Sequence, residues 1–562
     1  MRPPSRFLLL ALLILPTPAP ALAKPPTLDR FFPPGAQRGQ TIEVAAEGSF
    51  DAWPVRAWVQ GRGVEVRPAE AKGKLTVVVA ADAAVGVAWV RLYNEEGASE
   101  LRPFLVGSLP EVVEAEPNDA PSSAQAIGKL PVTINGRLAK NGDVDGFAVN
   151  LQAGQTLVAA IQAHEVLGAP MDAVLQVARP DGIVLEQADD SGGLDPRLVF
   201  VAPERGDYVV RTFAFPSEPS SSIRFAGGDA FLYRLTLTTG GFADYTFPLA
   251  VSRDHPGWVG VFGWNLPDEA RTLAVLPVDA DSDRALADHP SLAAPAVVRL
   301  VPHPAILERT AIGSEGPQTI EAPVSLTGRI GVEGERDVYR FSAEKGRLRL
   351  IRVASGSLGF PLDPVLRIID AGGKVLAESD DADPSGRDPE IRFDPPASGE
   401  YRAEVRDLNG RAGTRYLYRL DLLPAKPDVR LTLKAARFTL APDKPLEIPI
   451  LVARLDGFDA PLTLTVEGLP QGVLVSPATS SPGGESSKAA TLTLTSLVAP
   501  AWSGPIRIVG KSDSLRGPRL AEATIEVMGS ATKLPWLTVL RPEDAKADPG
   551  VSKISDTPRQ RH

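Results

Sequence analysis

Between Glu114 and Asp119 the sequence reads EAEPND, which places Glu114, Glu116, Asn118 and Asp119 within six positions before running into APSSAQAIG. Three readings fit these residue types. Alternate residues of an extended segment face the same way, so Glu114 and Glu116 can reach one cation. Calcium takes roughly six to eight hard oxygens at about 2.3–2.6 Å, and carboxylates, an amide and backbone carbonyls supply them. Alternatively, Asn118 or Asp119 caps a short helix starting at Ala120, because Asn and Asp lead at that position. In the third reading the acids are solvated linker charges.

Other acidic runs fit less well. Asp279-Ala-Asp281-Ser-Asp283 opens like an EF-hand loop, but Arg284 stands at the sixth position and Pro290 at the twelfth. Asp381-Ala-Asp383-Pro-Ser385-Gly386 has its glycine, yet Arg392 replaces the bidentate glutamate. Both read as solvated loops. Arg205-Gly206-Asp207 matches a cell-adhesion tripeptide, but the related Ser398-Gly399-Glu400 later in the chain reduces the shared feature to a turn glycine and an acid at a strand entry.

Support for catalysis is thin. His255, His289 and His303 each precede proline, and His164 and His562 are isolated. The sequence contains no HExxH, GxSxG, P-loop or GxGxxG pattern. With no cysteine, thiol nucleophiles and cysteine-bound zinc are excluded. A glycosidase-type carboxylate pair leaves no mark in linear order. The chain therefore reads as not an enzyme. Trp258, Phe262 and Trp264 in GWVGVFGW share one strand face by parity; a sugar-binding platform and a sandwich core both use such a row, and core packing is the expectation.

The elements that position these residues read as strands. Fifty-four prolines and 50 glycines interrupt the chain every few residues and leave few windows long enough for helices. Arg2, Arg6, the apolar run Phe7–Leu15 and Ala21-Leu22-Ala23 have the build of a secretory signal peptide cleaved after Ala23. No later stretch has the roughly 20 apolar residues of a membrane helix. Loss of Arg2 and Arg6 takes the formal charge from −10 to −12, so the basic footprint of a nucleic-acid or anionic-membrane binder is absent and divalent cations are more natural partners.

Self-comparison gives the domain plan. INGRLAKNGDVDGFAVNLQAGQTL from Ile134 aligns with LTGRIGVEGERDVYRFSAEKGRLR from Leu326: Gly136, Asp145 and Gly154 meet Gly328, Asp337 and Gly346, each pair 192 residues apart. FLYRLTL and YLYRLDL close the two copies. Each copy alternates apolar and polar residues in short runs, the pattern of antiparallel strands in a sandwich. A fainter echo, FPPGAQRGQTIEVAAEG against FPLAVSRDHPGWVGVFG at a separation of 215, precedes each copy.

The E-x-E-P-N-D entry, GRL, DVDGF, LD before a strand, DD after the next and GDYVVR resemble the bacterial pre-peptidase C-terminal (PPC) domain, a β-sandwich appended to secreted proteases and other exported proteins. The resemblance covers 110–240, and 319–425 except at its entry. It implies calcium, with Glu114, Glu116, Asn118, Asp119, Asp143 and Asp145 as ligands. The second copy reads AIGSEGPQTIEAP at its entry and keeps only Asp337 with Glu333 and Glu335 nearby, so weak or no calcium binding is expected there.

The expected architecture is all-β, a tandem of immunoglobulin-like and PPC-like jelly-roll-type β-sandwiches behind a cleaved signal peptide. Its parts are signal peptide 1–23, an immunoglobulin/IPT-like sandwich 24–109, PPC-like sandwich 110–240, an immunoglobulin-like module and linker 241–318, PPC-like sandwich 319–425, a C-terminal sandwich 426–530 and a disordered tail 531–562. The expected function is non-catalytic binding or scaffolding outside the cytoplasm, at the cell envelope, with an envelope or extracellular protein or a polysaccharide as partner. An accessory or degenerate relative of a secreted peptidase or other hydrolase is the alternative.

Overall fold

A computed structural model describes residues 24–189, 193–218, 224–277, 283–309, 316–382, 388–496, 500–525, 527 and 529–541. The signal segment, Asp279, Asp281, Asp383, Ser385, Gly386, His562 and the rest of the tail beyond 541 lie outside these residues.

The chain is all-β and built as tandem β-sandwiches. Period-two alternation sets the faces: in the strand Lys74–Val79, Leu75, Val77 and Val79 are buried and the residues between them are not. Likewise Ile448, Ile450 and Val452 of Leu446–Leu455 point into the last core.

The two sequence repeats share one strand plan. In the first, one sheet runs Gln125–Ala126, Asp145–Leu151, Gly206–Pro216, Met171–Ala178, Val184–Ala188, and the other runs Arg197–Val201, Thr156–Gln162, Leu232–Thr238, Val132–Arg137, Glu111–Val113. The second repeats both orders, with Gln318–Thr319 and Ala305–Leu307 in the places of Gln125–Ala126 and Glu111–Val113. Its first strand thus starts at Ala305, ahead of the expected boundary at 319. One residue fewer separates Glu308 from Gln318 than Glu114 from Gln125, and this gap hid the match. The repeated glycine also has its reason: a Cβ on Gly136 would overlap the Tyr233 ring, and one on Gly328 the Tyr418 ring.

The unit between the repeats pairs Phe242–Phe247, Trp258–Trp264 and Thr272–Ala274 in one sheet. Its aromatic row is not core. Val259 and Val261 are buried, while Trp258 is 67% and Phe262 46% exposed. Both faces of this strand are apolar, and the β-branched valines take the inside.

The first and last units touch. Trp536 packs its ring 5.7 Å from Trp58 and 5.0 Å from Tyr93, and the buried Arg91 guanidinium lies 5.4 Å from the Trp536 ring. Arg437 donates to the Ala98 carbonyl at 2.7 Å, and Arg541 pairs with Glu95 at 2.7 Å. The segment expected to begin a disordered tail is therefore strand. Ala531–Thr532 and Trp536–Val539 complete the last unit, and Trp536, Leu537 and Val539 are buried.

Candidate metal centre

The entry strand Glu111–Val113 is held by a buried ion pair. Glu111 accepts from Asn135 Nδ2 at 2.8 Å and pairs with Arg234, which lies two strands away in the same sheet and whose guanidinium pKa is lowered by burial. Three residues on, the Glu114 N–H donates to the Asn135 carbonyl at 3.0 Å. Glu114 Oε1 accepts the Arg137 N–H at 2.7 Å, and Oε2 faces the Tyr233 hydroxyl at 2.9 Å.

The same hydroxyl lies 2.5 Å from Asp145 Oδ2. Tyr233 has one proton for two carboxyls, and those carboxyls are themselves in hydrogen-bond contact. Both cannot stay ionised at that separation unless a cation or an extra proton joins them. Burial, then the Glu114 charge, pushes Asp145 up to about 10; burial also raises Glu114 and Asp143.

The remaining expected ligands converge here. Asn118, Asp143 and Asp145 are all 0% exposed. Asp143 Oδ2 accepts the Ala139 N–H at 2.5 Å, and the Asn118 N–H donates to Glu116 Oε2 at 2.8 Å. Glu116, Asp119 and Asp143 each place an oxygen within 4.8 Å of the others. The Lys140 ammonium stands 3.6 Å from Asp119 and 3.7 Å from Asp143.

The donor set fits a hard divalent cation. Asn118 Oδ1, Asp143 Oδ1 and Asp145 Oδ1 are buried oxygens without a hydrogen-bond partner, a costly state unless something else satisfies them. The capping reading does not hold. The short 3₁₀ turn Pro121–Ser123 starts from Ala120 with no side-chain cap from Asn118 or Asp119, and the Ser123 hydroxyl serves the Ala120 backbone instead.

The second repeat rebuilds half of this site from Asp337 and Glu335, which the sequence comparison kept, and from Glu308, which it missed. Glu308 Oε2 accepts the Arg329 N–H at 3.0 Å, as Glu114 does from Arg137. Tyr418 donates to Asp337 at 2.6 Å, and Glu335 accepts the Gly331 N–H at 2.5 Å in the manner of Asp143. Where the first copy has Phe147, the second has Tyr339, which donates to Glu308 at 2.9 Å and contacts the Tyr418 hydroxyl at 2.5 Å. Among the described residues none of its acids leaves a buried oxygen unpartnered. Burial, then the Glu308 charge, raises Asp337 to about 8. The signals for the missed residues were the shared Tyr-Arg-Leu of the last strand and the pair Gln125 and Gln318, which bridge their entry strands in the same way.

Of the other sequence candidates, Asp283 pairs with Arg299, and Asp207 accepts from Asn150 at 2.7 Å. His164 is buried with Nδ1 2.9 Å from the Ala169 carbonyl, and His303 contacts Ser325 at 2.8 Å. These are structural contacts.

Comparison with known proteins places a bacterial pre-peptidase C-terminal domain at residues 335–407, within the second repeat. No curated protein matches the chain. Similar solved structures include the pre-peptidase C-terminal domain of a Bacillus anthracis collagenase, 17% identical, covering 20% of this chain and 99% of that one with a TM-score of 0.17. The fibronectin(III)-like modules of Clostridium thermocellum CbhA are 13% identical, covering 41% of this chain and 93% of that one with a TM-score of 0.13. SGBP-B of the Bacteroides ovatus mixed-linkage glucan utilization locus is 9% identical, covering 71% of this chain and 74% of that one with a TM-score of 0.15. Among the described residues no helix is long and apolar enough to cross a membrane.

Proposed function

We propose that this chain is a non-catalytic, exported binding or scaffolding protein of the cell envelope whose first repeat, like the second, is a PPC-type sandwich, and that calcium locks the first one to its entry segment. The observation that carries this reading is the set of unpartnered buried oxygens on Asn118, Asp143 and Asp145, facing acids supplied by the entry segment. Glu114, Glu116, Asn118, Asp119, Asp143 and Asp145 would hold the ion. It would supply charge neutralisation and no chemistry on a substrate. The flanking units at 24–109 and 241–304 are taken as immunoglobulin-like.

The role is mechanical. Arg137 ties its backbone to Glu114 while its side chain holds Glu47 at 2.5 Å and lies 4.8 Å from the Phe32 ring in the first unit. Fixing the entry segment therefore fixes the angle between the first two units. Limited proteolysis tests this: chelator should expose the chain near residue 114 to cleavage, and a pattern indifferent to chelator counts against it. The second reading, an accessory relative of a secreted peptidase, draws on the family match at 335–407. Turnover of a peptide or polysaccharide, abolished by substituting an acid, would favour it.

A further inference from the structure

We propose that one core position decides which repeat needs the ion: in the second repeat the Tyr339 hydroxyl joins the entry glutamate to the inward-facing aspartate, a task that Phe147 leaves to calcium in the first. This deepens the calcium reading above and rests on it.

The two copies form a matched pair around this position. The Glu114 N–H donates to the Asn135 carbonyl at 3.0 Å and the Glu308 N–H to the Thr327 carbonyl at 2.9 Å. Their carboxyls accept the backbone N–H of Arg137 and of Arg329. Asp145 and Asp337 face them from equivalent strands, each beside a tyrosine of the last strand, Tyr233 or Tyr418. With backbone and carboxyls held alike, the difference between the copies lies in the side chains around the acids.

In the second copy four oxygens form a chain. Glu308, Tyr339, Tyr418 and Asp337 follow one another at 2.9, 2.5 and 2.6 Å. Three such contacts take three protons; the tyrosines bring two, and a third on one of the carboxyls completes the chain. That proton cancels one of the two carboxylate charges, and each acid has a hydroxyl of its own. In the first copy Phe147 brings no hydroxyl. Tyr233 alone serves Glu114 at 2.9 Å and Asp145 at 2.5 Å, and Asp145 Oδ1 has no partner among the described residues. Carboxylates this close need a counter-charge, which a cation supplies as well as a proton does.

Two neighbouring positions change in the same sense. Across the ladder from Asp145 stands Thr212, buried with its hydroxyl unpartnered among the described residues; across from Asp337 stands Val405, which has the same shape without the oxygen. A neutral hydroxyl oxygen suits a hard cation. Across from Phe147 stands Val210, and across from Tyr339 the smaller Ala403. Phenylalanine thus goes with spare oxygens, and tyrosine with an apolar lining and a smaller neighbour.

Hydrogen exchange read by mass spectrometry on the intact chain follows the two entry segments separately. In the parent protein chelator should speed exchange at residues 111–118 and leave 305–309 unchanged. Phe147→Tyr should keep 111–118 in chelator at the level of the calcium-loaded parent, and calcium affinity should fall about tenfold as the new hydroxyl occupies the same acceptors. Tyr339→Phe should speed exchange at 305–309 roughly tenfold, with or without calcium, because the entry there reads ERTAIG and lacks the EPND acids. Where the tyrosine crowds the first core, Phe147→Tyr/Val210→Ala carries the second repeat's own pair and makes the same prediction. A full chelator response in a folded chain carrying either version, or unchanged exchange at 305–309 in Tyr339→Phe, overturns the proposal. A parent indifferent to chelator at 111–118, with 305–309 loosened in Tyr339→Phe, defeats the calcium reading and leaves the hydroxyl's hold on the second entry segment standing.

Discussion

Arg137 donates its backbone N–H to Glu114 Oε1 at 2.7 Å, while its guanidinium reaches out of the sandwich to Glu47. One residue thus links the acidic cluster to the neighbouring unit. Replacing its side chain, as in Arg137→Ala, leaves the backbone bond in place and cuts the link. The expected result is retained calcium stabilisation of the first repeat with greater motion of the first unit against it, measured by small-angle scattering. An unchanged scattering profile would separate the ion from the joint.

Protons and the ion compete for the same oxygens. Without metal, Asp145 ionises near 10 in the folded chain and near 4 in the unfolded one. The folded state binds the extra proton, so the stability contributed by this group is greatest below about pH 4 and declines as pH rises toward about 10. Melting in chelator should therefore fall with pH across that window. Calcium should flatten the decline, and the gap between the two curves should widen with pH. A gap that narrows as pH rises contradicts the assignment.

The second repeat should respond differently to the same substitution. Asp337 ionises near 8, so at neutral pH it is mostly protonated, and Asp337→Asn resembles its existing state. Its melting cost should be small and insensitive to chelator. Asp145→Asn should instead remove the chelator response. Equal chelator responses in the two variants would contradict the contrast between the copies.

Trp536 closes the chain on itself, packed against Trp58, Tyr93 and Arg91. Trp536→Ala should cost about 3–5 kcal/mol in the last unit, because it empties a buried aromatic site. The first unit should lose protection at Trp58 and Tyr93 in hydrogen exchange. Loss confined to the last unit would show the contact to be incidental.

Much of this was legible in the sequence, and what was not has physical causes. Gly136 and Gly328 announced the duplicated sandwiches because a tyrosine ring crosses each of them, and that steric demand fixes residue type at a fixed spacing. The clustering of Glu114 with Asp145 followed only from family likeness, since the chain between them folds back before they meet. Glu308 escaped notice because its loop is one residue shorter, so register failed where the chemistry persisted. Trp258 and Phe262 were misjudged because parity names a face and not which face is buried; Val259 and Val261 decide that in three dimensions. The contact of Trp536 with Trp58 joins residues too distant in the chain for any local pattern to foretell.

Calorimetric titration of calcium into chelator-stripped protein, run beside Asp145→Asn, tests the central claim most directly. The account predicts one binding event per chain at the first repeat, with proton release, and its loss in Asp145→Asn while the variant still melts cooperatively. No heat of binding in the parent protein, or the same binding in Asp145→Asn, would contradict it.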